Sequence, residues 1–242
     1  MYSKIINTET LVEAGVSDIG HRGNLKQFDH YFSNLWNRID EEWENPSPLI
    51  NRLIREDYTV YEGPSLVNFL YASNIGEQEC EDIKNFFIDT GLKEDLEKAL
   101  GTFIGVCNIR AYRYTHDPPK EKTHYKDILE GYCVDEHKDG LYPDTYKLMI
   151  YKSVDGDVLT SAHGVTEINV SGKWVSPLGL SPTAVLFSSN TLIHRARRPA
   201  LGRIRDCIEI TIMPRKADNF VVISSGAHAG NAKDIEQWEQ EI

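Results

Sequence analysis

The chain has 242 residues, 40% hydrophobic and 10% aromatic, with 37 acidic against 26 basic side chains and a formal charge of −11. That is a globular composition, long enough for one large domain with a proper core, and its acidic balance argues against nucleic acid, which needs a basic face. No run approaches the roughly 18 apolar residues of a membrane helix, Met1–Asn7 has no signal-peptide core, and Cys80, Cys107, Cys133 and Cys207 lack CxxC spacing, so neither a disulfide framework nor zinc is expected and a cytoplasmic location is the simplest reading.

Residues 1–102 read mainly as helix. Phe32, Leu35, Trp36, Ile39 and Trp43 recur at helical spacing until Asn45-Pro-Ser-Pro48 ends the run. A second helix is predicted over Glu79–Leu100, with Ile83, Phe86, Phe87, Leu92, Leu96 and Leu100 on its apolar face and Gly91 as an interruption. These stripes are packing surface.

From Phe103 the pattern changes to short strands: Gly105–Tyr114, Glu130–Glu136, Tyr146–Tyr151, Val165–Val170, Thr183–Ser188, Leu192–Ala196 and Arg203–Met213. Asp155-Gly-Asp157, Ser171-Gly172 and Pro199-Ala-Leu-Gly202 supply turn signals between them. Many short strands with regular punctuation predict a mainly β, α+β fold: a sandwich or jelly-roll core over 103–214 with the N-terminal helices on one face. The chain is read as a single domain, 1–242. Its tail, 215–242, returns to a weak helical pattern around Ile235 and Trp238 and is a candidate contact for a homo-oligomer.

Three polar residues stand out in this β-rich half. His137-Lys-Asp139 ends an extended run, and His194 follows an apolar strand, 57 positions after His137. Residues i and i+2 of a strand share a face, so His137 and Asp139 approach one metal together. Two imidazoles and one carboxylate occupy one face of an octahedral Fe(II) and leave the other open. Arg205, 11 residues after His194, brings a planar fork suited to a carboxylate, and Arg203 shares its strand face. Arg197 and Arg198 read as a solvated loop, His163 as a surface histidine and Trp174 as a core tryptophan.

The order of these motifs is specific. Ala111-Tyr-Arg-Tyr114-Thr-His-Asp-Pro118 is similar to an N-x-Y-P segment, and His163–Val170 with Gly172-Lys-Trp174 to a GL-x-V…W turn. His194-Arg195 matches an HR pair, and Arg205-Asp-Cys207 stands where R-x-S precedes a proline, here Pro214. Together they resemble the catalytic half of the isopenicillin-N-synthase-like branch of the 2-oxoglutarate/Fe(II)-dependent dioxygenase superfamily. The resemblance covers about Phe103 to Pro214. Cysteine replaces serine at 207, the Tyr114–His137 segment is long, and the first hundred residues do not match.

The resemblance implies a double-stranded β-helix and Fe(II) held by His137, Asp139 and His194. It implies 2-oxoglutarate and O₂ as co-substrates, with Arg205 on the 5-carboxylate, Arg203 as the second choice, and Tyr114 donating a phenolic hydrogen bond. The implied reaction oxidises an unactivated C–H bond of a small-molecule substrate by hydroxylation, desaturation or cyclisation, releasing succinate and CO₂. Two alternatives stay open: a protein-residue hydroxylase, and a cupin-like metal-binding jelly roll without redox chemistry.

Overall fold

The computed structural model describes residues 11, 16–19, 25–44, 66–70, 75–115, 136–140, 144–197, 199–200 and 202–223. The expected helix stop at 45–48, most of the expected strand at 130–136, and the tail from 224 onward lie outside the described residues.

The helical part forms as its apolar spacing dictates. A 3-10 segment, Leu25–Phe32, runs into helix α1, Ser33–Glu44, and Phe32, Leu35, Trp36 and Ile39 are buried along one stripe. Gly91, at φ 72°, splits the expected second helix into α2 (Glu77–Asp89) and α3 (Leu92–Leu100), because a left-handed residue cannot continue an α-helix. Two contacts pin α1 to α2: Arg38 Nη1 pairs with Glu79 Oε1 at 2.8 Å, and Asn34 Nδ2 donates to Asp82 Oδ2 at 2.7 Å.

Among the described residues eleven strands follow one another along the chain. They are β1 (Val16–Ile19), β2 (Leu66–Leu70), β3 (Phe103–Thr115), β4 (Tyr146–Ser153), β5 (Val158–Leu159), β6 (Thr166–Val170), β7 (Lys173–Val175), β8 (Gly179–Leu180), β9 (Thr183–Ser188), β10 (His194–Ala196) and β11 (Ile204–Arg215). The large sheet is antiparallel throughout, in the order β1-β9-β4-β11-β3-β2, beside a three-stranded sheet β10-β6-β7 and a ribbon β5-β8. The result is a sheet-rich α+β fold.

The predicted strands fall where β3, β4, β6, β9, β10 and β11 lie, within a few residues at their ends. Five short strands were not predicted. Two of these, β1 and β2, come from the part read as mainly helical and form the edges of the large sheet. They gain order by pairing with β9 and β3, far away in sequence, which no local pattern encodes.

Alternation along the central strands divides the molecule. Ile109 and Ala111 of β3, Leu148 and Ile150 of β4, and Ile208 and Ile210 of β11 face outward and join the helices in one apolar core. Each such leucine or isoleucine contributes about 1.5–3 kcal/mol by burial. The other face meets β6 through a second cluster containing Met149, Tyr151, Val185, Phe187, Ile168 and Cys207. The polar residues of interest point into that second layer. Among the described residues no helix is long and apolar enough to cross a membrane.

Candidate active site

Three segments converge at the top of this inner layer. His194 opens β10, opposite Ile168 of β6. Residues 136–140 form no named strand, and nearly all of the strand expected to end at this pair lies outside the described residues. Instead His137 makes an isolated antiparallel bridge to His194, with N–O distances of 3.0 and 2.9 Å in the two directions. Asp139 N donates to Ser189 O at 3.0 Å, just past the end of β9. The histidine-to-histidine bridge, rather than strand periodicity, is what brings the pair to the third residue.

The side chains meet as a donor set. One ligand atom from each of His137, Asp139 and His194 lies within 4.8 Å of the others. Asp139 Oδ1 is 3.9 Å from His137 Nε2 and 3.7 Å from His194 Nε2. His194 Nδ1 is 3.0 Å from Leu192 O, a contact that a protonated Nδ1 donates, leaving Nε2 as the free lone pair. Phe187 packs edge-on against the His194 ring at 5.0 Å and limits its rotation. Burial raises the Asp139 carboxyl, but the His194 and Lys147 interactions outweigh it and hold it well below the usual carboxylate range. The group is therefore ionised at neutral pH. Two imidazoles and a carboxylate fit a borderline divalent metal such as Fe(II).

Deeper in the layer, cross-strand register builds a second feature. Arg205 lies opposite Tyr114, and Cys207 lies opposite both Tyr112 and Tyr151. Arg205 is only 1% exposed, and its guanidinium carbon sits 5.0 Å from the Tyr114 ring centre and 5.1 Å from that of Tyr151. Its Nε and Nη1 have no hydrogen-bond partner among the described residues. Burial pushes the Cys207 thiol up to about 12 and raises the Tyr112 and Tyr151 phenols, so these neighbours are neutral and supply no counter-charge. A buried cation of this kind is costly unless an anion meets it.

The other expected residues are placed elsewhere. Arg203 precedes β11, is half exposed, and pairs with Asp155 at 2.9 Å, so it does not share the buried face of Arg205. The expected surface histidine, His163, is instead buried: its Nδ1 accepts from Thr160 N at 3.0 Å and its Nε2 contacts Asp155 Oδ1 at 2.8 Å. Trp174 is half-buried and stacks on Arg195, whose guanidinium carbon is 4.0 Å from the ring centre. Arg195 also pairs with Glu136 and Glu167, each at 2.8 Å, and exposed Arg197 pairs with Glu167. Sequence reasoning missed Lys147, Glu209 and Tyr151. The signal was present in Lys147-Leu-Met-Ile-Tyr151, a strand whose inner-facing row begins with a lysine.

No protein-family model matches the sequence, and no curated protein does. Solved structures do resemble the fold. ThoJ, described as a non-haem monooxygenase in a nickel complex, is 10% identical with a TM-score of 0.51, over 97% of this chain and 92% of that one. AviO1 from Streptomyces viridochromogenes Tue57 is 14% identical with a TM-score of 0.51, over 88% and 95%. SnoN, a non-haem alpha-ketoglutarate-dependent epimerase from nogalamycin biosynthesis, is 9% identical with a TM-score of 0.50, over 86% and 80%. The chain thus has the fold found in non-haem iron, 2-oxoglutarate-dependent enzymes. Nothing in these likenesses singles out the isopenicillin-N-synthase-like branch.

Proposed function

We propose that the chain is an Fe(II)- and 2-oxoglutarate-dependent dioxygenase that oxidises an unactivated C–H bond of a small molecule and releases succinate and CO₂. The observation that carries this reading is Arg205: a fully buried guanidinium whose Nε and Nη1 find no partner among the described residues, in the same inner layer as a two-histidine, one-carboxylate donor set. A metal-binding jelly roll without redox chemistry has no use for such a clamp. The fold likeness and the antiparallel sheets support a double-stranded β-helix core within one domain.

In this reading His137, Asp139 and His194 hold Fe(II), and Arg205 receives the distal carboxylate of 2-oxoglutarate through its planar fork. Bound there, the metal would supply the chemistry that couples decarboxylation of the keto acid to oxidation of the substrate. Tyr114 and Tyr151 flank the guanidinium and would keep water from the ion pair, and Tyr114 is the candidate phenolic donor to the co-substrate. Cys207 offers a neutral thiol where a hydroxyl was expected, a weaker donor that leaves most of the binding to Arg205. Arg203, held on the surface by Asp155, takes no part.

The test is succinate formation by protein supplied with Fe(II), ascorbate, 2-oxoglutarate and O₂, with and without a panel of small metabolites. Turnover above the metal-only blank is expected. Iron-loaded protein that never exceeds the blank across a broad panel returns the fold to a non-redox role.

A further inference from the structure

Asp139 has a second oxygen, buried and without a well-aligned hydrogen bond among the described residues, that stands in an ion pair instead. Its Oδ2 lies 2.8 Å from Lys147 Nζ, and the same ammonium lies 3.1 Å from Glu209 Oε1. Glu209 is in turn ion-paired with Arg110, its direct cross-strand neighbour. Four charges of alternating sign therefore run from the centre of the large sheet to the donor set. Lys147, Glu209 and Asp139 are all largely buried, with side-chain exposures of 12%, 8% and 9%.

This arrangement is costly for a core. The inner row of β4 continues from Lys147 to Met149 and Tyr151, both buried among apolar neighbours. A lysine in that row must be fully paired to be tolerated, and Glu209 alone would pair it. Yet the ammonium also reaches Asp139, which among the described residues 136–140 lies in no strand and is anchored by a backbone hydrogen bond to Ser189. The regular ladder of the sheet therefore does not extend to that carboxylate, whereas Lys147 belongs to a central strand.

We propose that Lys147 is the positioning residue of the metal centre: anchored by Glu209, its ammonium holds Asp139 Oδ2 and leaves Oδ1 as the oxygen turned toward His137 and His194. The inference deepens the iron-enzyme reading and rests on it. It has a sign that simple electrostatics does not share. A cation next to a ligand carboxylate repels an incoming metal, so if Lys147 acted only by charge, removing it would tighten metal binding. If it positions the carboxylate, removing it weakens binding, by about 10- to 100-fold as for other groups that orient metal ligands.

The experiment titrates metal-free protein with Co(II), read by calorimetry and by the visible Co(II) spectrum, which reports how the ligands surround the ion. Lys147→Met is compared with the charge-balanced double variant Lys147→Met/Glu209→Gln and with Lys147→Arg, each checked for folding by thermal melting without metal. Both lysine-less variants are expected to lose about 10- to 100-fold in Co(II) affinity and to alter the spectrum, while Lys147→Arg recovers most of both. If the single variant fails to fold, the double variant decides. A folded lysine-less variant that binds Co(II) as tightly as wild type or more so, with an unchanged spectrum, overturns the positioning role and leaves the metal centre standing. Wild-type protein that takes up no Co(II) overturns the metal centre itself, and this inference with it.

Discussion

The two faces of β3, β4 and β11 are built from alternate residues of the same strands, yet they obey opposite rules. Outward, Ile109, Ala111, Leu148, Ile150, Ile208 and Ile210 pack on the helices as an aliphatic layer. Inward, Arg110, Tyr112, Tyr114, Lys147, Tyr151, Arg205, Cys207 and Glu209 put charge and phenols into a buried space. At one end of the outward face even its ion pair is complete: Arg113 Nε and Nη2 donate to the two oxygens of Asp206 at 2.7 and 2.9 Å. Arg205, one residue away on the other face, has buried donors left over. The outward face is closed chemistry and holds the fold together. The inward face carries buried polar atoms that nothing among the described residues satisfies.

That contrast is broken most severely at the donor set. Asp139→Asn keeps the shape of the side chain but removes the only carboxylate of the triad, and is expected to abolish nearly all succinate formation. His194→Ala should do the same. Both metal-free proteins should still melt cooperatively, with some loss of stability because His194 and Asp139 are largely buried; full turnover in either variant ends the assignment.

Next in size is Arg205. Replacing it with Ala should raise the KM for 2-oxoglutarate about 10- to 1000-fold, the loss of a charge-assisted pair, and Lys should restore only part of it. Arg205→Met sharpens the comparison, since it swaps an unpaired buried cation for an apolar chain of similar length. Its metal-free melting temperature should equal or exceed that of wild type. A clear drop would mean that the guanidinium belongs to the structural side of the sheet.

The outward face should respond in reverse. Ile208→Ala is expected to cost about 2–5 kcal/mol of stability in chemical denaturation, through lost burial and a residual cavity, with the KM for 2-oxoglutarate unchanged in the folded fraction. A shift in KM with little loss of stability would show that the two faces are coupled.

The smallest effect lies at the rim, where Asp155 ties Arg203 to His163. Burial raises this carboxyl, but hydrogen bonds from Arg203, His163 and Ser153 outweigh it and bring it from the ordinary 3.8 to about 2. Its pKa is thus lower folded than unfolded. The stability it adds is complete above about pH 4 and disappears as pH falls toward about 2. Asp155→Asn should therefore lower the melting temperature at pH 7 modestly, by the equivalent of roughly 1 kcal/mol for a partly exposed pair, and the gap should close in acid. A gap undiminished at pH 2 would assign the loss to packing.

Much of this was legible beforehand, for physical reasons that differ by region. Helices α1 to α3 announce themselves because their stability comes from a local apolar stripe, and Gly91 marks the break because only glycine takes that backbone angle cheaply. The long central strands show their alternation directly. His137, Asp139, His194 and Arg205 stood out because few residue types serve those roles and their order is unusual. The edge strands β1 and β2, the burial of His163 and the surface position of Arg203 were not legible, since each is set by a partner distant in the chain.

The sequence by itself determined which residue types were at hand, where the longer helices and the central strands lie, and which four side chains had metal or carboxylate chemistry to offer. Only the tertiary structure decided that Arg205 and not Arg203 is buried, that the His137 segment is fastened to His194 by a bridge, and that Lys147 stands behind Asp139. The physical reason is register. Side-chain chemistry is local and written in each residue, whereas the neighbour that meets it across a sheet depends on how strands far apart in the chain align, and a shift of one residue would send every one of these groups to the other face.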